Sequence, residues 1–485
     1  QRNNVLVNEF YTRGLYSLSN GRLLSPIYEI SEIQVNSVYA AAEFSYKGFF
    51  YVNATARNDW FSTLSKQNRS ILYPSVSGSF VFSEALKSNL PDWINFGKIR
   101  AAYAEVGSDN DVAAYSNNLF YNINPSQFPN PTGAGQPIAG ITGSTIPNAN
   151  LRPMRVSEKE IGLEMKLFNN NITLELSYYS KLSSDQILQA QTSDASGYLT
   201  QLINVGESRN KGVEMLVSFS PIITKTFNWN FSFNAAYNST KVLSLGSSIR
   251  DSMITVGTGD FSGELRQVVG KPIGQLFGYG YLRDENGNQV FDAGNGRPLR
   301  TSNQLSFGSA VPVWIGGITN TLNFKGIFLT FLVDFKLGSK MISGTNFNAW
   351  REGLHKATLA GREEGFIIGN GVNPNKQPNT TKSGVQAFYE TVRSQNIAEE
   401  FVYNAGLWQL RQVTIGYDFT KFVTGLKFVK GLRLNAVANN VAVLKKWVPN
   451  IHPEQFGFPS DNLVGLEATG LPITRNIGFN LNIKF

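Results

Sequence analysis

The chain has no cysteine in 485 residues. That excludes a disulfide scaffold, thiolate metal ligation and a cysteine nucleophile. Histidine is nearly as scarce. His355 and His452 both fall in stretches that read as loops, and neither has a close histidine neighbour. A zinc site or a Ser-His-Asp triad therefore has little to be built from. No apolar run approaches the roughly 18 residues of a membrane-spanning helix. Charged residues make up 16%, against roughly 25% in ordinary soluble domains. The net charge of +8 is modest for the length, and no Lys/Arg tract of the kind that binds nucleic acid occurs. The glycines sit in turns and on strand faces and form no phosphate-binding loop. The first residues, from Gln1, show no basic segment, apolar segment or cleavage site of a secretory signal.

Aromatic residues and alternation are plentiful. There are 34 Phe, 19 Tyr and 45 Gly, yet the mean hydropathy is only −0.16. Residues Ile477, Phe479, Leu481, Ile483 and Phe485 alternate with Gly478, Asn480, Asn482 and Lys484. Period two gives a strand with one apolar and one polar face. A terminal strand that ends on an aromatic is an outer-membrane barrel feature, so Phe479, Leu481, Ile483 and Phe485 are read as an assembly signal.

The same alternation recurs along the chain. It is clear in Val38–Tyr46, Phe50–Ala56, Glu158–Leu167, Ile172–Tyr178, Phe227–Asn238 and Leu329–Leu337. With Asn4–Arg13 included, about 14 strands are predicted, each long enough to cross a bilayer when tilted. Short turns, such as Lys47-Gly48, Asn169–Asn171 and Lys325-Gly326, alternate with long segments at about 106–155, 181–208, 241–312, 338–405 and 440–474. Short periplasmic turns and long extracellular loops are the mark of an outer-membrane barrel. The fold class is therefore all-β, a transmembrane antiparallel β-barrel portion. A secreted β-rich adhesin would show the same alternation but has no reason to keep the loop parity.

Two stretches invite a chemical reading. Asp284, Asn286, Asn288 and Asp292 place oxygen side chains at alternate positions, as calcium loops do, although Gln289 occupies the position of the usual turn glycine. A plain Asn-Gly hairpin turn explains the same letters. Trp350, Phe388, Tyr389 and Trp408 lie in or near the long loops, where aromatic rings could stack on substrate or pack against a lid. Ordinary loop packing is the alternative. Residues Trp350–Arg362 could form a short loop helix.

Seven segments, in order, resemble the SusC/RagA family of TonB-dependent outer-membrane transporters. They are NANLRPMRVSEKEIGLE at 148–164, SRNKGVEMLVSF at 208–219, VGKPIGQLFGYGY at 269–281, WIGGITNTLNFKGIFLTFLVDFKLG at 314–338, LWQLRQVTIGYDF at 407–419, LRLNAVANNVAVLKKW at 432–447 and LPITRNIGFNLNIKF at 471–485. The resemblance implies a barrel of about 22 strands around an N-terminal plug. The chain would then supply the C-terminal part, with the remaining strands and the plug elsewhere. It also implies energised import of a bulky nutrient, an oligosaccharide or a peptide, across the outer membrane of a Bacteroidetes-like bacterium. A SusD-like surface lipoprotein would serve as lid, and TonB would act through the plug. A different plugged receptor or a passive porin is the alternative within membranes.

Overall fold

The computed structural model describes residues 2–485 apart from 5–6, 18–19, 24–26, 110–111, 117–121, 129–135, 141–144, 192–193, 205, 247–251, 260–262, 424, 426–427 and 456–463. Its dominant element is one 13-stranded antiparallel sheet. The strands are β1 (Val35–Tyr46), β2 (Phe50–Phe61), β3 (Ser70–Phe80), β4 (Ile94–Ser108), β5 (Met154–Leu167), β6 (Ile172–Ser184) and β7 (Glu207–Ile223). They continue with β8 (Phe227–Ser244), β9 (Trp314–Phe324), β10 (Ile327–Leu337), β11 (Leu407–Asp418), β12 (Gly431–Lys446) and β13 (Asn476–Lys484). Each strand pairs with its neighbour in sequence, which makes the wall a plain meander.

Every wall strand coincides with a segment of alternating sequence. The front segment, Asn4–Arg13, does not join them. Arg2–Asn4 pairs with Ile27–Glu29, and Val7–Phe10 pairs with Gly21–Leu23, each as a separate two-stranded sheet. Strands of three and four residues are too short to cross a bilayer, which takes about 9–11. Residues 5 and 6 of that segment lie outside the described residues.

Turn chemistry sets the register. Lys47 and Gly48 have φ of 48° and 73°, and Lys325 and Gly326 have 48° and 92°. Two consecutive positive φ angles make the hairpin turn whose twist matches that of the flanking strands. With register fixed, most large apolar positions fall on one face, while a few, such as Phe96, Leu216 and Phe328, lie among the polar residues of the other. Phe44 lies opposite Val52, Ile161 opposite Tyr178, Val217 opposite Phe233, and Leu434 opposite Leu481. The other face carries cross-strand ion pairs, Lys98–Glu164 at 2.6 Å, Arg100–Glu160 at 2.7 Å and Lys181–Glu158 at 3.0 Å. One face suits lipid and the other a wet lumen.

The two ends of the wall differ. Short connections at 47–49, 168–171, 224–226 and 325–326 lie at one end, together with 81–93, which holds the helical turn α1 (Phe82–Ala85). Connections at 109–153, 185–206, 245–313, 338–406 and 447–475 lie at the other. The long connections fold. They contain a four-stranded sheet (Met253–Thr258, Glu264–Val268, Gln275–Gly278, Leu305–Ser309) and the helices α2 (Gly344–Arg351) and α3 (Val385–Ser394). A last helical turn, α4 (Thr420–Val423), sits in the short connection after β11.

The largest buried apolar cluster is in these loops rather than in the wall. Leu276, Ile342, Phe347, Val392, Ile397 and Phe401 are among its members. A second cluster joins Phe61 and Ile71 to Val112, Leu151, Ile187 and Leu202. At the sheet's margins, β1 and β13 each pair on one side only, and both are exposed along their whole length. Unpaired backbone groups are costly in lipid, so such edges call for further strands.

Candidate functional site

The loop assembly at the long-connection end combines a buried apolar core with a polar cleft. Trp350 and Tyr389 are brought together there, as core. Trp350 is 6% exposed, and its Nε1 donates to the Tyr389 carbonyl at 3.1 Å. Its ring meets Tyr389 and Phe401 edge-on. The Tyr389 hydroxyl donates to the Ala357 carbonyl at 3.0 Å. Phe388 is half-buried and stacks on Phe291 at 6.2 Å. Trp408 lies apart from these three. It sits on β11 opposite Phe335 of β10, on the outward face, with ring centroids 4.6 Å apart. Residues Trp350–Arg362 do not form one helix: α2 ends at Arg351, and a 3-10 turn spans Lys356–Leu359.

Beside the Trp350–Tyr389 pair opens a cleft of about 600 Å³ between α2 and α3. Arg351, Glu352, Arg362, Gln386 and Glu390 line it. Arg362 is held by the carbonyls of Thr358, at 2.7 Å, and Gly353, at 2.5 Å. Gln386 donates to Glu390 at 2.8 Å. Fixed guanidinium, carboxylate and amide groups can hydrogen-bond amides, hydroxyls or carboxylates of a polar polymer.

A second polar cluster ties the loops to the wall. A β-bulge shifts the register of β10 on β11 between Leu332 and Val333, and a second shifts β11 on β12 between Leu410 and Gln412. Bulges re-aim side chains. Here Arg411 is turned toward Asp334, at 2.7 Å, and toward Glu454 of the 447–475 connection, at 3.0 Å. Lys336 reaches the same Glu454 at 2.6 Å. Burial opposes ionisation of Glu454, but Lys336 and Arg411 outweigh it and hold its carboxyl below the usual range.

Glu400 is the opposite case. Burial pushes its carboxyl upward, only partly offset by the hydrogen bond from Tyr281 at 2.8 Å, and nearby Glu399 adds to the rise. Burial likewise pushes the Tyr403 hydroxyl up to about 12. Glu467, 1% exposed, accepts from Ser343 Oγ at 2.9 Å and from the Thr345 backbone N–H at 2.8 Å, at the start of α2. A carboxylate there satisfies otherwise orphaned helix donors.

The oxygen-rich stretch forms two separate turns. Asp284 accepts the N–H groups of Asn286, at 2.9 Å, and Asn288, at 2.8 Å, and the Asn288 side chain reaches its second oxygen at 3.1 Å. The Asn288 side chain is the chief cause of a lowered Asp284 pKa. Asp292 accepts from Gly294 and Asn295 in the next turn. Among the described residues no group of three or more His, Asp or Glu converges as a metal site would require. His452 pairs with Gln409 at 3.0 Å, and His355 Nδ1 accepts the Ala357 N–H at 3.2 Å. Burial lowers the pKa of both.

Phe479, Leu481 and Ile483 lie on β13 opposite Ala436, Leu434 and Leu432 of β12, while Phe485 follows the strand's end. The clamp through Arg411, Asp334 and Glu454 escapes a sequence reading, because it depends on bulges that no residue pattern announces. An isolated Glu454 in a loop carries no signal of its partners.

A meander wall with one apolar face, one charged face and folded loops at a single end defines an outer-membrane β-barrel wall. Residues 2–441 match the family model described as TonB dependent receptor-like, beta-barrel, and the chain belongs to that family. Among curated proteins it is 23% identical to TonB-dependent receptor P3 of Formosa agariphila, over 95% of this chain and 46% of that protein. It is 21% identical to TonB-dependent receptor SusC of Bacteroides thetaiotaomicron, over 93% of this chain and 43% of that protein. The chain thus spans about half the length of the curated relatives it matches. Among solved structures, the RagAB peptide transporter shares the fold with a TM-score of 0.78 at 19% identity, covering 98% of this chain and 51% of that one.

Proposed function

We propose that the chain forms the wall and surface loops of an energised importer for a bulky polar nutrient, an oligopeptide or an oligosaccharide. The observation that carries this reading is the folded loop assembly, with its own buried core and a cleft of about 600 Å³, at one end of a barrel wall of the TonB-dependent receptor family. A passive pore needs only a wet lumen, whereas a receptor needs a surface that holds its ligand. The cargo approaches through the loops, and the charged inner face lines its path. A SusD-like lipoprotein covers the mouth, and TonB supplies work through a plug that lies outside this chain. RagAB is named a peptide transporter, and SusC is named a TonB-dependent receptor, which supports this division of labour. No catalytic role is proposed.

The test uses the full-length protein in the bacterium that makes it. Uptake of labelled oligopeptides and oligosaccharides is compared in wild-type, gene-deleted and TonB-deleted cells, and the tagged protein is isolated from outer membranes. Uptake of one polymer class that needs both the gene and TonB, with a lipoprotein co-purifying, supports the reading. Uptake that persists without TonB would establish a passive pore instead.

A further inference from the structure

The outward face of β5–β8 changes character toward the long-connection end. Along β7 the outward positions run Phe219, Val217, Met215 and Val213, then Lys211 and Arg209. Along β8 they run Phe231, Phe233, Ala235 and Tyr237, then Ser239 and Lys241. Val213 lies opposite Tyr178 and Tyr237, which sit at the upper border of the apolar band. Aromatic rings of this kind mark the membrane–water interface. The three cations therefore stand one step above the hydrocarbon, on the lipid side of the wall and at its loop end.

Their arrangement is unusual in one respect. Arg209 and Lys241 are direct cross-strand partners, and Lys211 follows Arg209 on the same face. Like charges opposite one another destabilise a sheet unless something neutralises them. The neighbouring strands β4–β6 neutralise their inner-face cations, as Lys181–Glu158 and Arg100–Glu160 show. On the outward face Arg155 is also neutralised, by Glu105. Among the described residues, Arg209, Lys211 and Lys241 have no such partner, and Glu207 next along the strand is not ion-paired to them. All three are exposed. They share a groove of about 470 Å³ with Tyr178, Val213 and Tyr237. Lys159, exposed on the same face of β5, flanks it.

The geometry points to a binding site for a phosphorylated, acylated glycolipid of the outer leaflet. Its phosphate sits among Arg209, Lys211 and Lys241, and its acyl chains lie along Val213, Tyr178 and the apolar band below. A guanidinium offers two parallel N–H donors to phosphate, and the lysines add charge without demanding one geometry. The groove combines a basic rim with an apolar floor, which a free anion would not use and a membrane lipid would. The glycolipid cancels the repulsion between Arg209 and Lys241, so lipid retention and wall stability are coupled.

The test uses the full-length protein, extracted from outer membranes and washed in detergent. Retained lipid is read by native mass spectrometry and phosphorus assay. Wild type is expected to keep phosphorylated glycolipid, and the triple variant Arg209→Gln, Lys211→Gln, Lys241→Gln to lose about tenfold or more of it while still migrating as a folded barrel. A control variant, Lys47→Gln with Lys325→Gln at the short-turn end, should retain the wild-type amount. Should the triple variant fail to fold, wild type is instead delipidated and offered vesicles of phosphatidylethanolamine containing either the glycolipid or its enzymatically dephosphorylated form. Preference for the phosphorylated form supports the proposal. Equal retention by the triple variant, equal binding of the dephosphorylated lipid, or displacement of the lipid by millimolar inorganic phosphate would each overturn it.

Discussion

Phe479 and Phe401 have the same side chain and opposite fates. Phe479 on β13 is 79% exposed, and Phe401 in the loop assembly is 0% exposed. In the wall, apolar side chains point out of the protein because lipid is their solvent, and the backbone is satisfied by strand pairing alone. In the loops, apolar side chains are driven inward by water, as in any soluble domain. One chain thus holds two hydrophobic architectures joined at the rim of the sheet. The Arg411–Asp334–Glu454–Lys336 cluster is one seam between them.

Substitution inside the loop core should have the largest effect and should stay local. Trp350→Ala removes the indole that joins α2 to α3 and Phe401. A Trp-to-Ala change in a core costs about 3–5 kcal/mol. Limited proteolysis of the full-length protein should then cut within 338–406, while heat-modifiable migration of the barrel stays as in wild type. Loss of barrel migration would mean that wall and loops fold as one unit, and the comparison would fail.

The wall answers to a different substitution. Phe233 and Asn234 are neighbours on β8 that point to opposite faces. An arginine facing lipid near mid-membrane costs about 2–4 kcal/mol, and one in the lumen much less. Phe233→Arg should lower the unfolding free energy of the folded barrel, read from denaturant titration, by that amount, and Asn234→Arg should leave it nearly unchanged. Equal effects would show that the two faces have been assigned wrongly.

Acidity separates the loop interior from its tether. Burial raises the Glu400 pKa above its ordinary 4.5 in the folded protein. Its contribution to stability is fully present below 4.5 and is lost as pH rises through the folded value. Glu454 is lowered below 4.5, so its contribution is present above 4.5 and is lost as pH falls through the folded value. Moving from about pH 7 toward 4.5 should therefore protect the loop interior around Tyr281 from hydrogen exchange. Further acidification should loosen the 447–475 connection from Lys336 and Arg411. Glu400→Gln should abolish the first effect, and Glu454→Gln should remove the second at a cost of about 1–3 kcal/mol.

The wall was legible in the sequence because period-two alternation and Lys-Gly turns are local signals, and Ile172–Tyr178 or Phe227–Asn238 carry them without help from distant residues. The loops were not, because their structure depends on non-local packing. Trp350 and Tyr389 lie far apart in the chain, and nothing in either neighbourhood says that each is the other's core partner. The aromatic content of the loops suggested rings offered to a ligand or packed in the loops; the structure packs Trp350 and Tyr389 together at the lining of the cleft, half-buries Phe388 and puts Trp408 on the outer wall. Asn4–Arg13 alternates briefly, but its strands are too short to hold a place in the wall.

The smallest effect concerns Asp284, and it turns on what its carboxylate does. In the structure both oxygens serve the turn through Asn286 and Asn288. Asp284→Asn keeps an oxygen for the Asn286 and Asn288 N–H groups but replaces the oxygen that accepts from the Asn288 side chain with a donor and removes the charge, so the turn should weaken slightly. Calcium binding by Asp284, Asn286, Asn288 and Asp292 requires these oxygens to leave their N–H partners and converge on one ion at about 2.3–2.6 Å. That exchange forfeits several hydrogen bonds across two turns before any coordination is gained. Melting of the full-length protein in calcium and in chelator decides it: coincident curves leave the residues as turn formers, and a calcium-dependent rise that Asp284→Asn removes would make the stretch a calcium loop.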